Sequence, residues 1–139
     1  MSIVPLRSAL ETALDGMSPA LSTAWENVKF EPVNGTPYQM VHVLYATPDN
    51  PTIGGSNGTV LTRYKGFMQV TLMYPLLDGA AAIEARAELI KATFTRGSSF
   101  TNSGQVVVVN GTPEVTSGIR DNDRWRIAVK IPFYSNVYT

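Results

Sequence analysis

Apolar residues fall at helical spacing in two stretches of the chain and alternate with polar residues in several others. Leu6, Leu10, Ala13 and Leu14 make Pro5–Leu14 a short amphipathic helix, and Gly16 is a plausible stop. Ile83, Ala87, Ile90 and Phe94 recur at steps of four, three and four, which predicts a second and longer helix over Ala80–Thr95. Asp78 is its expected N-cap and Gly97 its left-handed terminator. Glu84 and Glu88 toward its start and Lys91 and Arg96 toward its end suit the helix dipole.

The strands read by their period of two. Arg124–Phe133 alternates strictly, with Trp125, Ile127, Val129, Ile131 and Phe133 against Arg124, Arg126, Ala128 and Lys130. Tyr38–Ala46 carries apolar residues on both faces and reads as a central strand covered on both sides. Thr59–Tyr64 and Gly66–Tyr74 read as extended segments, with Gly66 as a bulge or a break between them. Val28–Glu31 is a short candidate strand. Val106–Val109 is β-branched, with Asn110-Gly111 as a hairpin signal leading back through Val115. Between these lie the turn cluster Pro32–Pro37, the loops Thr47–Gly58 and Ser98–Gly104, and a charged turn over Ser117–Asp123. The order predicts a single domain over residues 1–139 of α+β class. Its sheet is mainly antiparallel, with one long and one short helix packed on one face.

Composition narrows the function more than the fold. Charged residues are 16% of the chain, against about 25% in an ordinary domain. Eleven basic and eleven acidic residues leave no net charge, which argues against a general nucleic-acid binder and gives little repulsion against association. The absence of cysteine excludes disulfides and thiolate metal sites. No stretch has the make-up of a signal peptide or approaches the roughly 20 apolar residues of a membrane span.

Candidate chemistry is sparse. His42 is the sole histidine, set in an apolar strand, and reads as a core or sheet-face residue; a small-molecule site or enzyme built on it is the rival interpretation. Asp121-Asn122-Asp123 looks superficially like a calcium loop but lacks the remaining ligand spacing and the closing Glu. Gly54–Gly58 lacks the Gly-Lys-Ser/Thr of a phosphate loop. Strand aromatics such as Tyr38, Tyr45, Phe67 and Trp125 have too few basic neighbours for a base-stacking platform. No cofactor or metal is expected, and no enzymatic activity.

Several segments together resemble a known family. They include Pro19–Val28, Pro37-Tyr38-Gln39, Pro48–Thr52, Gly66–Val70 leading through Tyr74-Pro75, Ala85-Arg86-Ala87-Glu88, Phe94–Phe100, Asp121–Trp125 and Ile131-Pro132-Phe133. In order and spacing these are similar to the tail terminator-like proteins of siphophages and their prophages, related to the terminator of phage lambda. The resemblance implies a structural virion protein, a ring of this chain with itself, of hexamer form, that caps the tail tube. It implies tail-tube and head-connector proteins as partners, a place in the virion tail, and assembly in the host cytoplasm. Another connector or tube component is the nearest alternative. The family has no catalytic motif to carry over. Contact candidates are therefore chosen from loops and charges: Asp49, Asn50 and Asn57 in the first long loop, Ser98 and Asn102 in the second, and Arg96, Arg120, Asp121, Asp123 and Arg124 as pairing charges.

Overall fold

The computed structural model describes residues 3–50, 60–77 and 79–138. Two helices and eight strands follow one another as α1 (Ile3–Asp15), β1 (Ser22–Ala24), β2 (Tyr38–Tyr45), β3 (Leu61–Pro75), α2 (Ala81–Thr93), β4 (Ser99–Asn102), β5 (Gln105–Val109), β6 (Glu114–Val115), β7 (Ile119–Asp121) and β8 (Arg124–Tyr138). All eight strands join one sheet in the order β1-β2-β3-β8-β5-β4. β6 and β7 pair with β8 on the same flank as β5, nearer its start.

This corrects the expected fold class in two respects. The sheet is mixed and curled rather than mainly antiparallel, and strand outweighs helix at 44% against 21%. The parallel element is β1 on β2, with Ser22 opposite Tyr38 and Ala24 opposite Met40. Nor is one helix long and the other short: each has 13 residues. α1 starts earlier than its apolar spacing suggests because Pro5 is tolerated in a first turn, where its missing N–H is not needed. α2 starts after Ala80, which makes no side-chain cap, and ends before Phe94. Asp78 lies outside the described residues.

The centre of the sheet is the pair β3–β8, in register from Leu61–Tyr138 to Pro75–Arg124. The register brings apolar side chains into rows across three strands. Val41, Val70 and Val129 form one row, and Val43, Met68 and Ile131 the next. All of these are buried, in one cluster with Leu6, Leu10 and Leu14 of α1 and Ile83, Ala87, Ile90 and Phe94 near α2. Both helices therefore cover the same face, and burial of those side chains drives their docking.

Other boundaries differ from expectation for identifiable reasons. Val28–Glu31 is not a strand; the polar Ser22–Ala24 is, because it pairs along β2. Gly66 interrupts nothing. It sits inside a continuous β3, opposite Tyr45 and Phe133. Asn110-Gly111 is not a hairpin turn either, since β5 and β6 do not pair with each other but follow in line along β8. Ser98–Gly104 is not a loop but strand β4 and a two-residue turn, with Ser103 and Gly104 in left-handed conformations. Ser117–Asp123 likewise holds β7 and a two-residue turn.

Glu26 ties the helix layer to the sheet. Its carboxylate accepts the Val43 N–H of β2 and an Arg7 hydrogen bond at 3.1 Å from α1. Burial pushes the Glu26 carboxyl up, but Val43 and Arg7 outweigh it and hold the group below the usual carboxylate range. A group depressed in this way stabilises the fold above its unfolded value of about 4.3, and that stabilisation is lost as pH falls through the lower folded value. Glu26→Gln, which keeps the acceptor oxygen but loses the charge, is expected to cost about 1 kcal/mol at neutral pH, the difference between a charged and a neutral hydrogen bond. It should also flatten the loss of thermal stability in acid, as read from melting temperatures between neutral pH and pH 3.

Candidate assembly surface

The second face of the sheet carries no helix. By the same register it presents Met40, His42 and Leu44 of β2, Phe67 and Gln69 of β3, and Lys130, Pro132 and Tyr134 of β8. His42 and Leu44 are exposed. The expectation that β2 is covered on both sides therefore fails within this subunit. Its outward apolar residues are real, but nothing else in the described chain packs over His42 and Leu44. Cations lie over aromatic rings on this face, Arg63 5.1 Å from the Tyr134 centroid and Lys130 5.8 Å from Phe67. Such contacts hide aromatic carbon without removing charge from water. His42 stands opposite Gln69, and Gln69 opposite Lys130. Among the described residues no group of His, Asp or Glu could hold a metal ion, and no helix is long and apolar enough to cross a membrane.

One end of this face is closed by the chain itself. Arg124, only 5% exposed, donates to the carbonyls of Thr36 and Val33 and lies 5.0 Å over the ring of Tyr38. Met73 on the same face is buried there, and Phe30 packs on Tyr38 with ring centroids 5.1 Å apart. Arg124 thus spends its donors inside the subunit.

The remaining contact candidates fall into three patches rather than one site. Asp49 bridges to Arg63 on β3 and holds Lys65 at 2.9 Å, with exposed Asn50 beside it. Asn57 lies outside the described residues. Arg96 is exposed ahead of β4; Ser98 is half-buried, its carbonyl accepting the Val109 N–H, and Asn102 accepts from the Ser103 hydroxyl. At the β7–β8 turn Asp121 accepts from Arg126 at 3.3 Å, Arg120 donates to the Asn122 carbonyl, and Asp123 is exposed.

Sequence reasoning missed an apolar patch near that turn. Leu77 is fully exposed and left-handed, with φ of +68°, a conformation that disfavours a branched side chain. Pro75, Leu76, Ala80 and Trp125 line a depression of about 360 Å³ beside it. The available signal was the pair Leu76-Leu77 directly after β3, two large apolar residues where the strand ends.

No curated protein matches the chain. A solved structure aligns over 100% of this chain and 99% of its own, at 23% identity and a TM-score of 0.78, and so shares the fold. A family model described as phage tail terminator protein matches residues 5–133. With nearly all of both layers inside that match, the chain belongs to the phage tail terminator family, a family of structural tail proteins.

Proposed function

We propose that this chain forms a ring, a hexamer in the manner its family resemblance implies, that caps the tail tube of a siphophage. The ring ends tube polymerisation and offers the head-joining surface, after assembly in the host cytoplasm. The observation that carries this reading is the family match over residues 5–133. The charge-poor composition and the uncovered sheet face support it, because both suit a subunit that works packed against neighbours.

The test is electron microscopy of the purified chain alone and with tail-tube protein. Single rings alone, and tubes that stop lengthening with one end capped, are expected. Long tubes built from this chain by itself would make it a tube component instead. Unchanged tube growth would refute termination. The rival built on His42 needs convergent polar groups around an enclosed pocket, whereas His42 is exposed on the open face.

A further inference from the structure

The two strands at the ends of the sheet path share an unusual relation. β1 runs parallel to β2, and four antiparallel steps, β2–β3, β3–β8, β8–β5 and β5–β4, bring the direction back. β1 and β4 therefore run the same way on opposite edges of the sheet.

The edge of β4 is open. Asn102 and Gln105 flank the two-residue turn, so hydrogen-bonded pairs alternate from there, and the Val109 N–H to Ser98 carbonyl bond of 2.9 Å keeps the alternation. Ser99 and Thr101 fall at the non-bonded positions, so their N–H and C=O groups point away from β5. Among the described residues these groups meet no partner. No proline or lysine lies within β4 to blunt the edge. β1 is only three residues long, because just beyond it the Glu26 carboxylate, and not a further residue of β1, takes the Val43 N–H of β2. That limit matches the short length of β4.

From this juxtaposition we infer that β4 of one subunit pairs in parallel with β1 of the next, so that the sheet continues across the subunit boundary. The inference rests on the ring reading above and names its contact. A contact between opposite edges is head-to-tail, the class of contact that builds a ring when the repeated rotation closes and an open filament when it does not. Pairing β4 with β4 would close a two-fold pair instead. β7 lies on the same flank of β8 as β4, so joining those two would turn one copy over and also make a pair. Ser22 and Ala24 share the open face with Ser99 and Thr101, since Ser22 is opposite Tyr38 and Ser99 opposite Val108, which is itself opposite Tyr134. The paired edges thus meet with polar, small side chains on one side.

Thr101→Pro tests the main-chain contact. It removes an N–H that bonds nothing inside the subunit, so the fold is retained, as at an edge-strand proline. The expected result is a monomer in sedimentation, with a melting curve close to that of the wild-type monomer, while Thr101→Ala still assembles. The chain has no cysteine, which gives a clean second test in the wild-type backbone. Ser22→Cys combined with Ser99→Cys or with Thr101→Cys should form a ladder of covalent oligomers on oxidation, and Ser99→Cys alone should not. Rings that persist in Thr101→Pro, or rings whose double-cysteine variants give no ladder, overturn the inference. A ladder that stops at dimers in Ser99→Cys alone also overturns it. A wild-type chain that forms no ring with or without tube protein overturns the ring reading itself.

Discussion

Arg124→Ala lowers the stability of the subunit by about 3–6 kcal/mol, because two hydrogen bonds from a charged donor are each worth about 1.5–3 kcal/mol. The guanidinium spans the Val33 and Thr36 carbonyls, which are 91 and 88 residues away along the chain. It also lies over Tyr38. Without it the segment over Tyr38 and Met73 loses its anchor, and two carbonyls lose their donor. Against a typical total of about 5–15 kcal/mol this is a large fraction. Urea unfolding gives the magnitude, and faster proteolytic cleavage near residues 33–36 gives the location. Arg124→Lys should recover less than half, since an ammonium is a point donor and lacks the planar fork that reaches both carbonyls. A loss below about 1 kcal/mol in Arg124→Ala, the worth of an ordinary exposed ion pair, would show that the fork does not anchor the segment.

Gly66→Ala is the second large effect, for a steric reason. A Cβ on Gly66 would stand 2.0 Å from the Leu44 carbonyl oxygen and 3.1 Å from the Tyr45 Cα, both main-chain atoms. No rotamer relieves such a contact. β2 and β3 must part at this end, with a cost of about 3 kcal/mol, the upper part of the range for overpacking. Gly35→Ala is the useful contrast. Its φ is +78° but nothing lies within 4 Å, so only the left-handed strain of about 1–2 kcal/mol applies. Thermal melts of the two variants should rank Gly66→Ala as the less stable; the reverse order would mean that β2 yields freely.

Local periodicity made some elements legible and long-range pairing hid the others. The Ile127–Phe133 alternation and the Ile83–Phe94 stripe each announce a buried face, and those residues are buried. β1 was unreadable because Ser22-Thr23-Ala24 is too short and too polar to show a period, and only its pairing with β2 makes it a strand. β4 reads as a loop in the sequence because Ser99, Thr101 and Asn102 are loop-forming types at an edge. The mixed character of the sheet follows from β1 and was hidden with it. The double apolar face of β2 was visible, yet whether its second side is covered depends on what lies outside the subunit. Arg124 looked like a surface charge because nothing near it in sequence reveals the carbonyls that close over it. The charged and polar contact candidates were legible as exposed types, but their separation into three patches came only from the topology.

The place of β8 in the sheet has a consequence for timing. β8 is the latest of the eight strands to be synthesised, yet it lies between β3 and β5 and carries β6 and β7 as well. Until it emerges from the ribosome, β3 and the β4–β5 hairpin have no common neighbour. Contacts spanning roughly half the chain must then form together, which is the slow, high-contact-order regime of folding. A subunit cannot acquire its two opposite edges in their final relation before that step. Until β8 is in place, the facing edges of β3 and β5 are themselves unpaired, which is the condition in which incomplete chains associate wrongly.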